Sequence, residues 1–130
     1  MRSSVSRRTF VTAVPAMSAA LMAGEARSSE GDAFVIHMFA FKWKPSVTTE
    51  QKARVMAEIQ ALRGPIPGLL EVWVGENFSP RSLGYQLGGV MKFADRKALD
   101  AYPSHPAHQK LLQWLLPLIE PVEVDFQPLR

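Results

Sequence analysis

The 130-residue sequence predicts an α+β domain of the split βαβ, ferredoxin-like kind, a four-stranded antiparallel sheet with helices on one face. Three observations carry that prediction. Four segments have the apolar runs or period-two alternation of strands, two stretches of helical spacing fall between them, and clusters of proline and glycine punctuate the joins. The resulting order is strand, helix, strand, strand, helix pair, strand.

AFVIHMFAFKWK opens the domain near Ala33 and reads as a strand buried on both faces, with His37 sharing a face with Val35, Phe39 and Phe41. Lys44-Pro45-Ser46 breaks it, and the run from Thr48 to Gln51 matches a capping box. Val55, Met56, Ile59 and Leu62 then recur at helical spacing, with Glu50, Lys52, Arg54 and Glu58 opposite. GPIPG, residues 64 to 68, stops that helix. LLEVWVGENF follows as a second strand with Leu70, Val72 and Val74 on one side, and residues 77 to 84 read as a turn region. The third strand is expected over 85–93, where the pair Gly88-Gly89 suggests a bulge or a close backbone approach. Asp95 caps a short helix. Pro106 suits the first turn of the next one, whose stripe is Leu111, Leu112, Leu115 and Leu116 and which Pro117 ends or kinks. VEVDFQPL, residues 122 to 129, alternates Val122, Val124 and Phe126 against Glu123 and Asp125 and forms the last strand.

The first 26 residues belong to a different class. SRRTFV carries Arg7 and Arg8 ahead of a modestly apolar, alanine-rich run broken by Pro15, and Gly24-Glu25-Ala26 supplies small residues for a peptidase before Arg27. This resembles a twin-arginine export signal, an address read by a translocase and not a permanent membrane anchor, so the expected location is outside the inner membrane, in the periplasm. Residues 27–32 read as a linker and 33–130 as the domain. The whole chain has 15 basic and 12 acidic side chains; without Arg2, Arg7, Arg8 and Glu25, the rest holds 12 and 11. With no basic run and no interleaved aromatics, a nucleic-acid partner is not expected. The absence of cysteine excludes disulfides, iron–sulfur clusters, thiolate zinc sites and lipid attachment.

Strands apolar on both faces in so small a domain require a cover for the bare side of the sheet. A second copy of the chain related by two-fold symmetry supplies it, predicting a homodimer through the open sheet face, closed as an α+β barrel. Trp43, Trp73 and Trp114 suit the core or that interface.

AYPSHPAHQK, residues 101 to 110, concentrates Tyr102, His105 and His108 with Pro103 and Pro106. Together with IHMFAFKWK and GPIPGLLEVWVGENFS, this segment resembles the stress-responsive A/B barrel (Dabb) family over about residues 34 to 127. The resemblance implies a dimeric α+β barrel. It extends to the olivetolic acid cyclase branch, which closes a linear poly-β-keto thioester by aldol condensation, and on matching positions it implies acid/base roles for His37, Tyr102 and His108 around a small apolar pocket.

Chemically those residue types suit the task. An aldol closure needs a base beside a carbonyl and a donor to the developing oxyanion, and imidazole with a phenol supplies both near neutral pH. A small apolar carbonyl compound is the expected ligand, with no cofactor. Structural explanations stand beside this one. His37 can be a hydrogen-bonded core histidine, Tyr102 and His108 can lock loop to helix, and His105 with Pro106 reads as a structural signature at the helix start. Three histidines also raise the alternative of a metal site, but the usual ligand spacings are absent; haem rests on fold analogy alone.

Overall fold

The computed structural model describes residues 33–129; the proposed export signal and the linker lie outside them. Strand β1 (Val35–Trp43) leads through helix α1 (Thr49–Ala61) to β2 (Leu69–Glu76) and β3 (Leu87–Phe93). Helices α2 (Arg96–Ala101) and α3 (Pro106–Leu115) and a 3-10 turn (Leu116–Leu118) then precede β4 (Ile119–Phe126). The strands lie in the order β2-β3-β1-β4 and every neighbouring pair is antiparallel. This is the ferredoxin-like α+β fold, with the helices packed on one side of the sheet.

Helix boundaries follow from caps. The Thr48 hydroxyl accepts from Gln51 N–H while the Gln51 side chain accepts from Thr48 N–H, at 3.1 and 2.8 Å, closing the capping box at the start of α1. Asp95 caps α2 by accepting from Ala98 N–H at 2.8 Å. Pro106 occupies the first turn of α3, where its missing donor leaves nothing unsatisfied, and Pro117 turns the end of α3 into the 3-10 segment.

Alternation assigns the faces of the sheet. Val35, His37, Phe39 and Phe41 of β1 and Leu87, Met91 and Phe93 of β3 point to the helices and are buried against Val55 and Ile59 of α1 and Leu111 and Leu115 of α3. Their neighbours point the other way. β1 is therefore covered on one face only within a single chain, and Met38 on the other is 41 % exposed, leaving that face for the second copy that the sequence calls for.

Three expectations shift. A bulge between Leu69 and Glu71 reverses the parity of β2, so Leu69, not Leu70, joins Val72 inside and Leu70 faces out. β3 begins at Leu87 because Tyr85 is held in a turn by its N–H to Ser82 O, 3.0 Å. Its glycines mark a close approach, since a Cβ on Gly89 would land in the Phe39 ring. β4 starts at Ile119, opposite Trp43, and stops at Phe126, opposite Ile36, because the length of β1 limits the pairing. Pro121 is tolerated there because β4 is an edge strand.

Candidate functional site

The chain brings His37, Tyr102 and His108 together on the helix side of the sheet. His37 comes from the middle of β1, Tyr102 is the residue that ends α2, and His108 lies in the first turn of α3. The Tyr102 ring contacts both imidazoles, tilted against His108 with centroids 4.2 Å apart and edge-on to His37 at 5.8 Å, and lies 5.2 Å from the Phe93 ring. All three line a cavity of about 50 Å³ whose other walls are apolar, among them Phe39, Ile59, Met91 and Leu111.

Hydrogen bonds fix the two imidazoles. His37 is 5 % exposed, and its Nδ1 lies 2.5 Å from Asp125 Oδ1. Because a carboxylate only accepts, Nδ1 carries the proton and Nε2 is left as the free ring nitrogen. His108 Nδ1 lies 3.0 Å from the Pro103 carbonyl, which likewise only accepts, so Nδ1–H donates and His108 Nε2 is free. The Gln109 side chain donates to the same carbonyl at 2.7 Å.

Tyr102 is 6 % exposed. Burial, with the Glu123 carboxylate adding to it, pushes the acidity of its hydroxyl well to the alkaline side of an ordinary tyrosine, so it stays protonated and acts as a donor. Its hydroxyl makes no hydrogen bond to another described residue, yet no fully buried side-chain nitrogen or oxygen among these residues lacks a partner. The hydroxyl is therefore not sealed in packing.

His105 does not join the group. Its Nδ1 accepts from Ala107 N–H at 3.1 Å and caps α3, with Pro106 just inside the helix, and it does not line the cavity of His37. Among the described residues no three His, Asp or Glu side chains are grouped to hold a metal ion. Asp125 and Glu123 are the additions that inspection of the sequence overlooked. Their signal was available: β4 pairs with β1, so if Val122, Val124 and Phe126 cover one face, the two acids stand on the face of His37.

A family model for the stress responsive A/B barrel domain (Dabb) matches residues 35–128, which contain every residue of this site. The chain belongs to the stress-responsive A/B barrel family. A curated relative, a stress-response A/B barrel domain-containing protein of Arabidopsis thaliana, is 32% identical over 68 residues; that match spans 52% of this chain and 26% of the relative, so the two share one segment of a much longer protein. Among solved structures, a dimeric ferredoxin-like protein of unknown function from Thermobifida fusca is 25% identical, with a TM-score of 0.65 over 73% of this chain and 91% of the other. The hydroxynitrile lyase of Passiflora edulis has a TM-score of 0.70 at 16% identity, covering 75% of this chain and 95% of the lyase, and shares with this A/B barrel its fold alone.

Proposed function

We propose that this A/B barrel protein is an exported homodimer that binds a small carbonyl compound in the cavity between its sheet and α3 and acts on it by acid/base chemistry of the polyketide cyclase kind. The observation that carries the reading is the pairing of a proton donor that cannot easily ionise, Tyr102, with two imidazoles whose Nδ1 protons are both engaged, by Asp125 and by the Pro103 carbonyl.

The chemistry follows from the tautomers. A carbonyl oxygen accepts from the Tyr102 hydroxyl, and an imidazole Nε2 removes a proton from the adjacent carbon, leaving an enolate held by the tyrosine. His37 is the better placed base, because the imidazolium formed on it faces the Asp125 carboxylate. The enolate carbon then attacks a second carbonyl, and the new alkoxide takes its proton back from the imidazolium. His108 Nε2 orients the phenol or serves the second proton transfer.

Dimerisation rests on the open sheet face. Met38, Trp73, Val122, Val124 and Phe126 are large and exposed on it, an apolar surface of the kind that marks an interface, and the Thermobifida fusca relative is described as dimeric. Export rests on Arg7, Arg8 and the run that follows. Changing both arginines to lysine and following the chain in cell fractions tests it, retention in the cytoplasm being the expected result.

A second reading, a non-catalytic barrel, draws on the bonds of His108 and Gln109 to the Pro103 carbonyl, which brace the loop between α2 and α3. One experiment separates the two. In an NMR titration of the dimer with small ketones, the catalytic site predicts that the ring signals of His37 and His108 move together; silent histidines, protected from solvent, leave the bracing role alone.

A further inference from the structure

The cavity at the three side chains is too small for its proposed work. About 50 Å³ holds about four water molecules, enough for a carbonyl group and its nearest carbons but not for the body of a substrate. The remaining room must be found next to it, and Tyr102 marks where.

Tyr102 also lines a second, larger cavity, a groove of about 330 Å³ shared with Ile66, Pro67, Ala98 and Ala101 and with the polar side chains of Asp95, Lys97 and His105. That volume lies within the ordinary range of small-molecule sites. The apolar shelf of about 590 Å³ lined by Met38 and Trp73 lies across the sheet from His37 and does not include Tyr102. The groove is a built feature. Gly68 O accepts from Ala94 N–H at 2.8 Å, tying the 66–68 loop to the end of β3. Gly68 itself has φ +78°, and a Cβ there would stand 2.5 Å from the Ala98 methyl. Only a small residue at 68 and another at 98 leave this space.

Tyr102 is suited to separate the two cavities reversibly. It is held by ring contacts with Phe93, His37 and His108, and turning it breaks no hydrogen bond to any described residue. His105 Nδ1 is committed to Ala107 N–H, so its Nε2 carries a proton and donates. The Asp95 carboxylate is committed to the start of α2, and Lys97 makes no ion pair with another described residue. The groove therefore suits an apolar body carrying an acceptor oxygen for His105 or Lys97.

We propose that this groove is the subsite for the apolar body of the carbonyl ligand, and that the Tyr102 ring is the partition that moves aside to admit the carbonyl to His37 and His108. The ligand class is a ketone or aldehyde bearing a compact aryl or alkyl group. This inference rests on the carbonyl-binding reading above.

The test compares two probes, acetone, which fits the inner cavity alone, and 4-phenyl-2-butanone, which needs the groove as well. They are titrated into the full domain and into Ala101→Leu, whose added side chain fills the groove from an exposed helical position, with the His37, His108 and Ala98 signals followed by NMR. The expected result is that the phenyl ketone binds the unaltered protein at least about tenfold tighter than acetone, as two buried methylenes would give, and moves the Ala98 methyl together with both histidines. Ala101→Leu abolishes that advantage and leaves acetone unchanged. Equal binding of the phenyl ketone to both proteins, with the histidines still responding, overturns the groove while sparing the carbonyl site. Ala98 shifts without histidine shifts overturn the connection through Tyr102. Silence of the histidines toward both ketones overturns the carbonyl site and the groove with it. An unchanged core methyl spectrum for Ala101→Leu verifies its fold.

Discussion

The two faces of the sheet differ in what covers them. The face under the helices carries the apolar core, Phe39, Phe41, Met91 and Phe93 among it, with His37 set into it and Glu123 and Asp125 on its exposed β4 edge, while the face left bare within one chain carries Met38, Trp73, Val122 and Val124 among Lys42, Glu71, Lys92 and Glu120. β4 makes the contrast within two residues, since Val124 points to the bare face and Asp125 to His37. Large apolar groups on a bare face are a surface awaiting a partner, and a buried polar ring such as His37 is kept where a hydrogen bond satisfies it. Exposed apolar side chains mark the interface, and a buried imidazole in an apolar core marks the site.

The strongest way to break that contrast is Val124→Asp. A carboxylate buried against a second sheet is expected to weaken dimerisation by about 100-fold or more, measured by sedimentation, while the His37 signals of the folded chain persist. A dimer of unchanged affinity would place the interface elsewhere. The neighbouring change, Asp125→Ala, strikes the other face. Loss of a charge-assisted hydrogen bond to a buried imidazole is expected to cost about 1.5–3 kcal/mol of stability in chemical denaturation, with dimer affinity unaltered. Nitrogen chemical shifts of His37 should then show that the proton no longer stays on Nδ1.

Tyr102 sharpens the comparison in alkaline solution. Its ionisation is displaced upward in the folded state, by burial first and Glu123 second, so above the ordinary tyrosine value the unfolded chain loses a proton that the folded chain keeps. Stability therefore falls as pH rises beyond about 10, by up to about 1.4 kcal/mol per pH unit from this group. Tyr102→Phe should remove that part of the slope; an unchanged slope would mean the hydroxyl is better solvated than its burial indicates. The smallest effect is a control remote from the chemistry of both faces. Thr48→Ala removes one cap of α1 and is expected to cost about 1 kcal/mol in thermal or chemical unfolding, with ligand shifts and dimer affinity intact.

Local signals made much of this legible. The capping box at Thr48, the Asp95 cap and the prolines at 106 and 117 set helix ends through contacts a few residues long, which is why their positions could be read directly. The bulge at Leu69 and Glu71 could not be read that way, because its parity is fixed by the pairing with Phe93 and Lys92 more than twenty residues on. The same distance hid the partner of His37. Asp125 lies 88 residues away, and among alternating acids in an edge strand nothing local distinguishes an inward carboxylate from a solvated one.

The sequence alone determined the family, the order of elements and the candidates His37, Tyr102 and His108, because residue types, spacing and breakers are properties of the chain. Only the tertiary structure decided that His105 caps a helix while His108 turns to Tyr102, that Asp125 holds the His37 ring, and that Tyr102 lines both a small cavity and a larger groove. The reason is physical. A side chain's role is set by what it touches, and the carboxylate that holds His37 comes from a strand 88 residues further along the chain.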